Sequence, residues 1–124
     1  MRNYLEKLID TFHGRVLRNQ PFLMDAEHEA AVYVLDFGTC IKIGRADDLK
    51  RRMQDYASPH CRTVISYKYY YAQDVRLYEK FLLNRFRLHP RSGEYLYDTP
   101  FKDVTDIADL IMATKVSILI KTER

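Results

Sequence analysis

Residues 32–56 place the strongest constraint on how this chain folds. They hold a short apolar run at 32–35, a turn at Gly38, and a second apolar run at 41–44. A basic segment with an amphipathic pattern follows at 48–56. Two short apolar runs separated by a glycine turn predict a β-hairpin, and the segment after them predicts a helix.

The remaining patterns predict an N-terminal helix, one more strand and two further helices. Residues 2–18 carry apolar side chains at helical spacing. Residues 63–71 are rich in β-branched and aromatic residues, which favours a strand. Asp74 can cap a helix that extends to about residue 88, and Pro100 begins another. The predicted fold class is therefore α+β, with a small three-stranded antiparallel sheet flanked by helices and an extra N-terminal helix.

The length of 124 residues predicts a single domain. We expect residues 1–30 to form a helical extension, residues 31–97 the core, and residues 98–124 a C-terminal helix and tail. No apolar run approaches the roughly 20 residues that cross a bilayer, and the N-terminus does not resemble a secretory signal. An intracellular protein without a membrane partner is expected. Cys40 and Cys61 are isolated, which predicts free thiols.

Basic residues are concentrated between positions 42 and 62, although the net charge is only +3. Clustered cations favour a nucleic-acid partner more than net charge does. The predicted nucleic-acid contacts are Arg45, Lys50, Arg51 and Arg62. Tyr67, Tyr69 and Tyr71 share one face of the predicted third strand. They could stack on bases, but packing against a helix is the simpler interpretation.

Residues 31–97 resemble the GIY-YIG nuclease superfamily. The matching pieces are Val-Tyr-Val-Leu at 32–35, Lys-Ile-Gly-Arg at 42–45, Arg-Arg-Met at 51–53, Glu79, and Gly-Glu-Tyr at 93–95. Their order is similar to that of a phage- and virus-associated branch, which carries Lys-Ile-Gly where other members have Tyr-Ile-Gly. Glu94 stands where several members have an asparagine.

The resemblance implies a divalent-metal-dependent DNA endonuclease that hydrolyses phosphodiester bonds. The residues it implies as catalytic are Tyr33, Lys42, Arg52, Tyr56 and Glu79. Glu79 would hold one Mg²⁺ or Mn²⁺, since such cations prefer carboxylate oxygen. Arg52 would contact a phosphate, and Tyr33 would act as general base with Lys42 favouring its phenolate form. Tyr56 would orient the water or the phosphate.

Other interpretations stay open at this point. His60 and Glu94 are accessory candidates, but an exposed loop histidine and a structural acid in a turn are ordinary features. A catalytically silent nucleic-acid-binding or protein-interaction module on the same scaffold is the alternative function. A third hypothesis is a small adaptor whose N-terminal helix docks on a partner. A homo-oligomer and a separate DNA-recognition partner are both compatible with the sequence.

Overall fold

The computed structural model describes residues 20–58 and 61–122, with side chains for 20–58 and 61–113. The helix predicted at residues 2–18 and the accessory candidate His60 lie outside the described residues. In chain order the elements are α1 (Pro21–Met24), β1 (Ala31–Asp36), β2 (Ile41–Ala46), α2 (Leu49–Tyr56), β3 (Ser66–Tyr71), α3 (Val75–Arg85), β4 (Arg91–Ser92), β5 (Tyr95–Leu96) and α4 (Phe101–Thr122).

The α+β class is confirmed, but the sheet is larger than predicted. Among the described residues it has five strands in the order β3-β1-β2-β5-β4, and each neighbouring pair is antiparallel. The prediction of three strands omitted β4 and β5, which have two residues each. Strands this short show no alternation of apolar and polar residues. They are defined by the pairing of β4 with β5 and of β5 with β2.

The hairpin and the two helix starts follow from local chemistry. Gly38 adopts a φ of 88° in the β1–β2 turn, a conformation that glycine accepts readily, and its N–H donates to the Asp36 carboxylate at 2.7 Å. Asp48 accepts a hydrogen bond from the backbone N–H of Arg51 at the start of α2. Asp74 caps α3 in the same way. These caps confirm the predicted helix starts, and α3 ends at Arg85, slightly before the predicted end.

The sheet is covered on both faces. On the α1–α2 face, the side chains of Tyr33 and Leu35 pack with residues of α1 and α2. On the α3–α4 face, Val32 and Val34 pack with residues of α3 and α4. The central strand β1 is thus buried on both sides, which fixes its register against β2 and β3.

The tyrosines of β3 hold α1 in place. Tyr67 and Tyr69 lie on the α1–α2 face, as the alternation predicts. The Tyr69 hydroxyl donates to the carbonyl of Phe22, and the Tyr67 hydroxyl donates to the carboxylate of Asp25. Packing is therefore the correct interpretation for these two rings.

The predicted C-terminal helix is present as α4, and its backbone includes residues 116–120. Within the part of the chain that the structure describes, no helix combines the length and the apolar character needed to span a bilayer.

Candidate functional site

Two tyrosine hydroxyls meet beside the hairpin. Tyr33 comes from the middle of β1, and Tyr56 is the last residue of α2. Their hydroxyl oxygens lie 3.0 Å apart, and their rings meet edge to face with centroids 5.9 Å apart. Tyr33 is only 1% exposed, so its ring has little freedom to turn away.

Gly44 makes the path of the Tyr33 ring sterically allowed. The two residues lie opposite each other in the β1–β2 register. A Cβ atom at position 44 would lie 2.3 Å from Cζ of Tyr33 and 2.4 Å from its hydroxyl oxygen. Such distances are far below van der Waals contact. The glycine of Lys-Ile-Gly therefore provides the space that the Tyr33 ring needs to reach Tyr56.

The β4–β5 turn supplies an acid to the same region. Lys42 forms a hydrogen-bonded ion pair with Glu94, and its ammonium nitrogen lies 4.6 Å from the centroid of the Tyr95 ring. The carbonyl of Glu94 accepts a hydrogen bond from the N–H of Ile43 at 2.9 Å. Glu94 was an accessory candidate, and Tyr95 was not anticipated as a partner of Lys42. The Gly-Glu-Tyr motif is the sequence signal that could have indicated both.

Glu79 lies on α3 and is only 8% exposed. Its Oε1 atom accepts a hydrogen bond from Nε of Arg45 at 3.3 Å. Its Oε2 atom is buried and has no hydrogen-bond partner among the described residues. Arg45 was predicted as a nucleic-acid contact, and in this structure its charge is paired with Glu79.

Two carboxylates repel each other here. Burial raises the pKa of Glu79, and the negative charge of Glu94 raises it further. Arg45 and Lys42 act in the opposite direction, and the net pKa stays above the ordinary value. Glu79, Glu94 and Lys42 therefore lie within electrostatic reach of one another, although they come from three separate elements.

Lys42 was predicted to favour the phenolate of Tyr33, and this stays a prediction. Burial raises the pKa of Tyr33, and the groups that oppose this rise are the Tyr56 hydroxyl and the Arg52 guanidinium. Lys42 is paired with Glu94, and its charge acts on the pKa of Tyr56 instead. Burial also raises the pKa of Tyr56. Both tyrosines are thus neutral phenols in the free protein near pH 7.

The remaining predicted cations lie along α2 and after it. The Arg52 side chain is 48% exposed, and its Nε atom is 3.8 Å from a carboxylate oxygen of Asp55, which is a loose contact. Arg51 is exposed, and Lys50 is partly buried. Nη1 of Arg62 lies 2.9 Å from Sγ of Cys40.

The described residues include no group of three or more His, Cys, Asp or Glu side chains arranged to hold a metal ion. A groove of about 900 Å³ lies elsewhere, along His28, Asp47 and Tyr71, and none of the described residues that the resemblance implies as catalytic lines it. The candidate site therefore consists of the tyrosine pair, Tyr33 and Tyr56, and the two carboxylates, Glu79 and Glu94.

We expect Gly44→Ala to lower the free energy of unfolding by about 1–3 kcal/mol, because the new methyl group overlaps the Tyr33 ring. In a Tyr33→Leu background the same substitution should cost much less, since the ring is gone. Urea unfolding of the four proteins in this cycle measures the coupling. An equal cost in both backgrounds would show that the ring does not lie over Gly44.

We expect Glu79→Gln to raise the melting temperature by a few degrees at pH 7. Because the pKa of Glu79 is raised, the folded state binds this proton more tightly than the unfolded state, so the free energy of unfolding falls as pH rises above about 4.3. The advantage of the variant should disappear below that pH. Thermal unfolding from pH 4 to pH 8 tests this, with the exposed Glu29→Gln as control. A variant less stable than wild type at pH 7 would contradict the view that burial and the charge of Glu94 disfavour the ionised Glu79.

No curated protein and no solved structure matches the chain significantly. A family model, the T5orf172 domain, matches residues 30–112. The match extends from the start of the hairpin into α4, so it includes Tyr33, Glu79 and Glu94. It covers more than half of the chain. The chain therefore belongs to the T5orf172 domain family, which is phage-associated.

Proposed function

We propose that the protein is a divalent-metal-dependent DNA endonuclease that hydrolyses phosphodiester bonds at a single-metal site. The observation that carries this proposal is the buried carboxylate of Glu79, with one oxygen lacking a described partner, in electrostatic reach of Glu94 and Lys42. The T5orf172 family adds support, since it has links to nucleases and nucleic-acid interaction.

The donor chemistry fits Mg²⁺ or Mn²⁺. Both ions prefer carboxylate oxygen, keep several water ligands, and need few groups from the protein. Glu79 would hold the ion, and the charge of Glu94 would attract it. A cation at this point would also offset the repulsion that raises the pKa of Glu79. When bound, the ion supplies Lewis-acid stabilisation of negative charge on phosphate oxygens.

Arg52 is the cation best placed to bind the phosphate. Its guanidinium acts on Tyr33, and its side chain is half exposed with only a loose carboxylate contact. A planar guanidinium can donate two parallel hydrogen bonds to phosphate oxygens. Lys42 and Arg45 are less available, because each is paired with a glutamate.

Tyr33 is the proposed group that takes a proton from the attacking water. Its neutral form in the free protein means that base catalysis requires loss of the phenolic proton first. Arg52 lowers the energy of the phenolate, and the Tyr56 hydroxyl, 3.0 Å away, donates a hydrogen bond to it. Tyr56 thus orients Tyr33 and stabilises its charged form.

A catalytically silent DNA-binding module is the second candidate function. The observation that favours it is that Glu79 and Glu94 each already have a cationic partner, so the carboxylate charges are partly offset without a metal. Cleavage itself separates the two candidates, since only the endonuclease converts supercoiled plasmid to nicked or linear forms.

Nicking of supercoiled plasmid with Mg²⁺ or Mn²⁺ is expected for the wild type. Glu79→Gln should reduce the rate by about 100-fold or more, because the variant cannot hold the cation through a charged oxygen. Gel assays with a chelator control measure this. A Glu79→Gln protein that cuts at the wild-type rate would remove Glu79 from the site, and a wild type that binds but never cuts would favour the silent module.

Arg52→Ala should cost roughly tenfold or more in rate, whereas Arg51→Ala should change it by less than about threefold. The two arginines are adjacent, exposed and on the same helix, which makes Arg51 a matched control. Of the two arginines, Arg52 is the one whose guanidinium lowers the pKa of Tyr33. Equal losses would indicate that α2 acts as a diffuse basic surface.

The single-turnover rate should rise with pH through about pH 9 without levelling, because the pKa of Tyr33 lies above its ordinary value near 10. Tyr33→Phe should be slow and independent of pH in this range, while it retains DNA binding. Arg52→Lys keeps a positive charge and should preserve the pH dependence. A Tyr33→Phe enzyme with the wild-type profile would leave Tyr33 as a packing residue.

A further inference from the structure

A second cavity opens directly beside the tyrosine pair. Its volume is about 290 Å³. Its lining residues are Phe37, Tyr56, Cys61, Arg62, Tyr95 and Tyr97. Four of these six residues carry an aromatic ring, and one is a cation.

This cavity shares walls with the candidate site. The hydroxyl of Tyr56 is bonded to that of Tyr33, and the ring of Tyr95 lies under the ammonium group of Lys42. A group in the cavity would therefore be separated from the proposed reaction centre by one tyrosine ring.

The cavity is open to solvent and is not a gap in the core. Tyr97 is 37% exposed, and both Cys61 and Arg62 are exposed. The backbone of Tyr97 is held by a hydrogen bond from its N–H to the carbonyl of Pro90, at 2.9 Å. The ring is thus presented to solvent from a fixed backbone position.

The chemistry of the walls suits a planar ring that carries a phosphate. Aromatic side chains stack on bases of any sequence, because every base has a π-face. Arg62 makes no ion pair with any carboxylate of the described residues, and its Nη1 contact is the weakly accepting Sγ of Cys40. Its charge therefore remains available for a phosphate. The volume lies at the lower end of ligand cavities, about 300 Å³, which matches one small ring system.

We propose that this cavity binds one unpaired nucleobase of the DNA next to the phosphate that is cleaved. The proposal rests on the proposed function and specifies its substrate class. Bases in a continuous duplex are stacked and paired, and withdrawing one costs a few kcal/mol. DNA that already contains an unpaired nucleotide, such as a single strand, a flap or a bulge, avoids that cost and is the preferred substrate.

The test compares the binding of a duplex with one single-nucleotide bulge and a fully paired duplex. Fluorescence anisotropy in the presence of a metal chelator measures the affinity for each duplex while metal-dependent cleavage is prevented. The wild type should bind the bulged duplex about tenfold more tightly. Replacing the bulged nucleotide with an abasic one should remove this preference, because the backbone shape is kept while the base is lost. A preference that persists with the abasic nucleotide, or no preference at all, would overturn the proposal.

The protein variants test the cavity itself. Tyr97→Ala should abolish the preference for the bulge, and Tyr97→Phe should retain it. Tyr71→Ala is the matched control, since Tyr71 has the same 37% exposure but lines the other groove. Loss of the preference in Tyr71→Ala, or its survival in Tyr97→Ala, would place the base elsewhere. Arg62→Ala should reduce the slope of log affinity against log salt by about one, which Tyr97→Ala should not.

The outcomes for the two proposals are distinct. Wild-type protein that nicks plasmid but binds both duplexes equally contradicts only the base-binding cavity. Wild-type protein that prefers the bulged duplex but cuts with neither Mg²⁺ nor Mn²⁺ contradicts the proposed endonuclease activity and supports the silent DNA-binding module.

Discussion

The missing side chain at Gly44 is the constraint on which the site depends. β1 and β2 are locked in register by burial on both faces of β1, so Tyr33 must lie opposite position 44. With any Cβ there, the ring would have to leave the path that brings its hydroxyl to Tyr56. The ring also fills space in the core of the α1–α2 face, so fold stability and site geometry are coupled at one contact.

The ionised form of Glu79 is electrostatically unfavourable in this site. Burial raises the pKa of Glu79, the negative charge of Glu94 raises it further, and the charges of Arg45 and Lys42 only partly offset this. Perturbed carboxylates in this kind of environment are common at functional sites, because repulsion that costs stability is relieved by a ligand. A bound cation, as in the proposed metal-dependent chemistry, would relieve that repulsion.

Elements determined by neighbouring residues could be predicted from the sequence, whereas those that depend on contacts between distant parts of the chain could not. The hairpin turn at Gly38, the helix that follows the hairpin and the cap at Asp74 are each set by a few neighbouring residues, and the structure has them as predicted. The strands β4 and β5 are too short for any periodic signal. The same limit applies to the site. Resemblance indicated which residues to consider, but the pairing of Arg45 with Glu79 and of Lys42 with Glu94 joins elements far apart in the chain.

Titration of the Glu79 carboxyl carbon by NMR, with and without Mg²⁺, shows whether this carboxylate is perturbed and whether it binds a cation. We expect the pKa of Glu79 to lie above the ordinary value near 4.3 in the free protein and to fall when Mg²⁺ is added. Glu94→Gln should lower the pKa in the absence of metal, because the repelling charge is removed. An ordinary pKa that does not respond to Mg²⁺ would contradict both the strained carboxylate pair and the metal site built on it.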